Sequence, residues 1–213
     1  LIWTARVVKE QDRLVAYVSL ETNLRRPGRE ETKLQHFTGK VYLAPTKDEG
    51  KEQVVKPPVW NGAHAVEATD IYQLYFHGPS FQVLEEVKRS GDGLLGKLRQ
   101  GMPSMIAEGQ PLFSAPLLVE LCLQTAGIWE AGSSGALALP GSIGELRLYR
   151  NQPDGEPVYA TVTPHVDAEG NPIFDASVVD ASGRLYLEMK EYRTSRLPYT
   201  ADARLLEPLR ELI

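Results

Sequence analysis

Cys122 is the only cysteine among 213 residues, so no disulfide can close within the chain, and a reducing, cytoplasmic setting is expected. His36, His64, His77 and His165 share no ligand spacing with one another or with Cys122, and no metal is expected. No apolar run approaches the roughly 20 residues that a membrane-spanning helix needs, so no membrane is expected to be crossed. Excess positive charge is missing too. The net charge is −5, with 11 Lys+Arg against 8 Asp+Glu in residues 1–60 and 12 against 20 thereafter, a balance that does not favour nucleic acid. The small basic cluster of Arg25, Arg26 and Arg29 reads as a solvated loop. Leu1-Ile-Trp-Thr-Ala runs at once into charged residues, unlike a secretory leader, and the start without Met is expected to mark part of a longer chain.

What is present is strand-rich. Residues 2–8, 13–20 and 34–43 carry the β-branched and aromatic residues of strands joined by short turns, an antiparallel meander without a helix to cover its apolar face. Residues 46–64 are charged, then Pro-rich, and read as a linker. A short helix is expected near 70–75, strands at 81–87 and 94–98, and four further strands at 137–150, 157–166, 173–179 and 185–196, separated by turn-forming residues. The chain closes on a short amphipathic helix and tail, 198–213.

The middle of the chain, Ala115 to Trp129, reads as one helix of about four turns, apolar on nearly every side, as a core helix is. Ser114 is a candidate cap. Within this apolar helix stand Glu120 and, one turn on and on the same face, Gln124. A buried carboxyl costs several kcal/mol unless it is paired or protonated. Glu120 is thus either a satisfied structural group or a tuned acid. One helix within an antiparallel sheet over 65–197 predicts an α+β hot-dog, with residues 1–45 as the terminal strands of another such unit.

Four segments carry a family resemblance. Tyr75-Phe-His-Gly-Pro-Ser-Phe81 resembles the aromatic, Gly-Pro-x-Phe motif that opens the C-terminal hot-dog of polyketide synthase dehydratase domains. Pro116-Leu-Leu-Val-Glu120, with Gln124, is similar to that family's Pro-x-Leu-Leu-Asp-x-x-x-Gln helix. Leu139-Pro-Gly-Ser-Ile143 is similar to its Leu-Pro-x-x-Ile/Trp segment, and residues 171–196 resemble its closing hairpin. Glu replaces the usual Asp, as in the Val-Glu-Ala-x-Ala-Gln helix of bacterial fatty-acid dehydratases. The family's His-x-x-x-Gly-x-x-x-x-Pro motif has no counterpart in this chain.

The resemblance implies the second half of a double hot-dog that removes water from a 3-hydroxyacyl thioester to give a 2-enoyl thioester. One base and one acid across the substrate suffice for this. The base would be the absent histidine and the acid Glu120, a buried carboxyl oriented by Gln124. Tyr75, His77, Gly78, Pro79, Phe81, Leu139 and Pro140 would line the substrate tunnel. His77 stands where the family more often has Tyr and reads as a wall or turn residue. The resemblance also implies no cofactor beyond the phosphopantetheine arm of an acyl carrier protein, other synthase domains as partners, and a homodimer through the parent synthase. The alternatives are a catalytically inactive double-hot-dog module that is structural or acyl-binding, and a hot-dog acyl thioesterase.

Overall fold

The computed structural model describes residues 1–43, 53–60, 64–102, 114–150 and 155–213. Two compact units divide at residue 50, Leu1–Gly50 and Lys51–Ile213.

The first unit is a three-stranded antiparallel sheet in the order β1 (Ile2–Glu10), β2 (Arg13–Leu24), β3 (Thr32–Leu43). Its register aligns Trp3 with Leu20 and Phe37, and Val7 with Ala16 and Val41. Because side chains alternate along a strand, these rows share one face. That face is apolar, and Trp3, Val7, Phe37 and Val41 on it are exposed, as the missing cover helix predicts.

Over its described residues the second unit is an eight-stranded antiparallel sheet with three α-helices. Short β4 (Ala65–Glu67) leads into α1 (Ala68–Leu74) and a 3-10 turn (Pro79–Phe81). β5 (Leu84–Ser90) and β6 (Gly93–Leu98) follow, then α2 (Pro116–Ser134), β7 (Ala136–Ser142), β8 (Glu145–Leu148), β9 (Val158–Val166), β10 (Pro172–Asp180), β11 (Leu185–Thr200) and α3 (Ala203–Leu212). The strand order is β4-β5-β6-β9-β10-β11-β7, with β8 also pairing on β11. α2 packs across β5, β6, β9, β10, β11 and β7. Leu118, Leu121, Cys122, Ile128, Phe174, Leu187 and Met189 are fully buried in the core between them. A single helix held by an antiparallel sheet is the hot-dog arrangement.

Several boundaries differ from the sequence reading. Phe81 closes the 3-10 turn and does not start a strand. The span expected as one strand over 137–150 is two, and the chain between them is tied to β11 by the Gly144 N–H, which donates to the Lys190 carbonyl at 3.1 Å. α2 runs five residues beyond Trp129 and stops where Gly135 adopts a left-handed φ of 72° and its N–H reaches the Ala131 carbonyl at 2.8 Å. Ser114 does not cap it; Ala115 holds that position, with its carbonyl accepting from the N–H groups of Leu118 and Val119.

The expected linker is partly structured. Val54 bridges to Arg184, and the Val55 N–H donates to the Gly183 carbonyl at 2.9 Å, so these residues belong to the second unit. Gly183 has φ of 86°, and a Cβ there would stand 2.2 Å from the Val55 carbonyl oxygen; only glycine fits. The tail beyond 198 is likewise integral: β11 continues to Thr200, and α3 buries Leu206, Leu209 and Leu212 against the core. Residues 46–52 of the expected linker, the turn at Asn61-Gly62 and most of the turn at 151–155 lie outside the described residues.

Candidate functional site

Beside α2 lies a small open cleft of about 70 Å³ with mostly apolar walls. Leu123 and Gly127 of α2, Leu137 to Pro140 of β7, Tyr192 and Leu197 of β11 and Phe76 supply most of them. Into this wall project Glu120, Gln124, Tyr75 and His77. Of the nine residues singled out from the sequence, six therefore share one cleft: Glu120, Gln124, Tyr75, His77, Leu139 and Pro140. Gly78, Pro79 and Phe81 do not line it. They form the turn behind it, where the Phe81 N–H donates to the Gly78 carbonyl at 2.9 Å.

Gln124 is 3% exposed and fully committed. Its Nε2 donates to the Phe81 carbonyl at 2.7 Å and to Glu120 Oε1 at 2.8 Å, while its Oε1 accepts from the Tyr72 hydroxyl at 2.8 Å. This network fixes the amide, because a flip would set two carbonyl oxygens against each other. Tyr72 is held in turn, its oxygen accepting the Leu84 N–H at 2.7 Å. The Tyr75 hydroxyl donates to the Gln124 main-chain carbonyl at 3.2 Å. That approach depends on Gly127, where a Cβ would come within 2.4 Å of the Tyr75 oxygen. Burial pushes the phenols of Tyr72, Tyr75 and Tyr192 well above the ordinary tyrosine range, so all three stay neutral.

Glu120 is not the fully buried carboxyl expected. Its side chain is 18% exposed, and His77 Nε2 stands 3.2 Å from its Oε1. His77 stacks on Phe76, with ring centroids 5.3 Å apart, and meets Tyr75 edge-on. The other three histidines are exposed, and none lines the cleft. The fully buried acid is Glu130, 1% exposed, in the part of α2 beyond the expected helix end. Its Oε1 accepts from Arg196 Nε at 3.0 Å and its Oε2 from the Thr194 hydroxyl, a paired structural carboxylate. Tyr72, Tyr192 and Glu130 went unnoticed in the sequence because their roles rest on cross-element contacts. Cys122 is buried, and burial pushes its thiol far up, which keeps it inert. No group of metal-ligating side chains occurs among the described residues, and no described helix is long and apolar enough to cross a membrane.

Fold and cleft together define a hot-dog domain with a hydrogen-bonded carboxylate on its central helix. The chain belongs to the polyketide synthase dehydratase family: the family model described as the polyketide synthase dehydratase N-terminal domain matches residues 57–204. Solved structures agree in fold. An inactive variant of the CurJ dehydratase, in complex with a compound, is 18% identical with a TM-score of 0.67, over 95% of this chain and 69% of that one. A trans-AT polyketide synthase dehydratase domain from Brevibacillus brevis is 18% identical with a TM-score of 0.64, over 91% and 68%. The dehydratase domain of PpsC from Mycobacterium tuberculosis, in complex with C12:1-CoA, is 18% identical with a TM-score of 0.58, over 92% and 68%. No curated protein matches the chain.

Proposed function

We propose that this chain contributes the acid to a 3-hydroxyacyl thioester dehydratase whose substrate arrives on the phosphopantetheine arm of an acyl carrier protein. The observation that carries this reading is Glu120, a carboxyl group at the edge of an apolar cleft with one oxygen held by Gln124. Elimination needs a proton delivered to the departing β-hydroxyl, and a positioned carboxyl group can supply it. The α-proton would go to a histidine outside the 213 residues, as the family resemblance implies. Two relatives lend support: the CurJ and CurK dehydratases are inactive as histidine-to-phenylalanine mutants. An acyl chain suits the Leu137, Leu139 and Leu197 walls of the cleft, and the PpsC domain binds an acyl-CoA.

We assign Lys51–Ile213 to the C-terminal half of a double hot-dog. The family description names an N-terminal domain; the assignment instead rests on the carboxylate helix and the aromatic Gly-Pro turn, both C-terminal features by resemblance. Other synthase domains, dimerisation through the parent synthase and a cytoplasmic setting belong to the same reading.

The test is an assay of the full-length protein on a 3-hydroxyacyl-pantetheine thioester. The expected product is the enoyl thioester, formed by wild type and lost by more than about a hundredfold in Glu120→Gln with the fold intact. Release of free acid instead would mark a thioesterase. No turnover would favour an inactive acyl-binding module, a reading for which the lack of any cleft histidine besides His77 speaks.

A further inference from the structure

We propose that Tyr192 is a substrate-binding residue whose hydroxyl donates a hydrogen bond to an oxygen carried by the acyl chain beyond its β-carbon. This rests on the dehydratase reading and deepens it, by naming the substrate class as a chain that keeps oxygen along its length rather than a plain hydrocarbon tail. Tyr192 lines the cleft and is 2% exposed. Its hydroxyl has no hydrogen-bond partner among the described residues. Nor is the oxygen sealed away: His77 Nδ1 is the one fully enclosed side-chain polar atom without a partner among them. What little of Tyr192 stays exposed therefore includes its oxygen. A phenylalanine ring would pack as well here, and an unpaired buried hydroxyl costs free energy that a partner arriving with the ligand offsets.

The backbone is bent to put this side chain there. Met189 and Tyr192 are three residues apart on β11, and strict alternation would turn them to opposite faces. Both are buried. Between the pairs Ala176–Met189 and Phe174–Tyr192, Asp175 of β10 faces both Lys190 and Glu191, a β-bulge in which Glu191 takes a left-handed φ of 52°. Asp175 holds the bulge, accepting from the Glu191 N–H at 3.1 Å and from Lys190 Nζ at 3.0 Å. Past it, the Tyr192 ring meets Phe174 with centroids 6.0 Å apart, and Phe174 meets Trp129 at 5.7 Å.

Those neighbours place Tyr192 beyond Gln124 as seen from Glu120. Trp129 follows Glu120 by roughly 13 Å of helix, and Thr194, two residues on from Tyr192, reaches Glu130. Glu120 stands at the open end, its side chain 18% exposed. A polar pantetheine arm stays at that end, and the acyl carbons past the β-position run inward between Leu123, Leu137 and Leu197. Tyr75 and Gln124 use their donors within the protein, which leaves the Tyr192 hydroxyl for a hydroxyl or keto oxygen on the chain. Burial, with the carboxylates of Glu130 and Glu120 nearby, holds the phenol neutral, so it keeps the proton it donates. A site that buries a polar group for its ligand binds a chain lacking the matching oxygen less well, because that group is then left unpaired. A chain built from two-carbon units and incompletely reduced carries oxygen on alternate carbons, which is the chemistry this arrangement suits.

Binding to the full-length protein tests this without turnover. Decanoyl-pantetheine and its 5-, 7- and 9-hydroxy derivatives lack the 3-hydroxyl that elimination needs. Titration calorimetry compares their affinities for wild type and Tyr192→Phe. At least one hydroxy derivative is expected to gain roughly three- to tenfold over decanoyl-pantetheine in wild type relative to the same ratio in Tyr192→Phe. The unfolding midpoint of Tyr192→Phe is expected to equal or exceed that of wild type, since no internal partner is lost. Equal ratios in the two proteins for all three derivatives, no binding by wild type, or a lowered midpoint that reveals an internal partner would each overturn the inference. Turnover is read separately on 3-hydroxydecanoyl-pantetheine. The expected binding ratios without any enoyl product would sink the dehydratase reading alone and leave Tyr192 reading the chain of an acyl-binding module.

Discussion

Two glutamates ten residues apart on one helix divide chemistry from stability. Glu120 faces the cleft at partial exposure, whereas Glu130 is sealed in and satisfied by Arg196 and Thr194. Truncating Glu130 removes both hydrogen bonds and leaves a void. Glu130→Ala is expected to lower unfolding stability by about 2–4 kcal/mol, a range kept modest because Arg196 is half-exposed and regains water. Glu120→Gln is expected to stay within about 1 kcal/mol of wild type, since its amide oxygen still accepts from Gln124. Urea unfolding of the two variants side by side measures the contrast, and equal losses would remove the distinction. The spacing of Glu120 and Gln124 in the sequence was enough to place them together. Nothing in the sequence marked Glu130, because its value depends on where β11 brings Thr194 and Arg196. The His77 contact was equally hidden, since it depends on the path of the 3-10 turn.

At the scale of elements, the β10–β11 turn shows how a local signal becomes a measurable linkage. Asp180 Oδ1 accepts from the Ser182 N–H at 2.8 Å, the Ser182 hydroxyl at 2.6 Å and the Arg184 N–H at 3.0 Å. Burial pushes this carboxyl up, yet those donors, with the charge of Arg184, hold it below the ordinary aspartate range. A carboxyl depressed in the folded state contributes its full stability above the unfolded value and loses it as pH falls through the folded one. Asp180→Asn is therefore expected to be less stable than wild type by roughly 1 kcal/mol at neutral pH, with the gap closing below about pH 4. Thermal unfolding of both proteins from pH 7 to pH 3 reads this, and a gap independent of pH would assign it to packing. The turn was legible because Asp, Ser and Gly mark turns by their own backbone chemistry. The division between β7 and β8 was not legible, because pairing with β11 creates it. The end of α2 at Gly135, beyond the expected Trp129, was not legible either. Gly132 is helical, and α3 packs so closely there that a Cβ would lie 2.6 Å from the Leu209 carbonyl oxygen.

At the scale of the whole molecule the two units solve the burial problem differently. Lys51–Ile213 closes a core around α2 and seals it with α3. Over its described residues Leu1–Gly50 has only a sheet, and a sheet has two faces to satisfy. The register puts Trp3, Leu20 and Phe37 in one row and Val7, Ala16 and Val41 in the next, and Trp3 is 73% and Phe37 68% exposed. The alternation that builds this face was readable from the strands, as was its want of a covering helix. A contiguous exposed apolar surface binds amphiphilic dyes and promotes association. The 213-residue chain is accordingly expected to enhance the fluorescence of anilinonaphthalene sulfonate and to sediment with concentration-dependent association. Phe37→Glu breaks the row at an exposed position on the outer strand β3 while removing little buried area. It should lower both signals and change unfolding stability by less than about 1 kcal/mol, the scale of one cross-strand pair. Unchanged dye binding in Phe37→Glu would show that this face is already covered in solution.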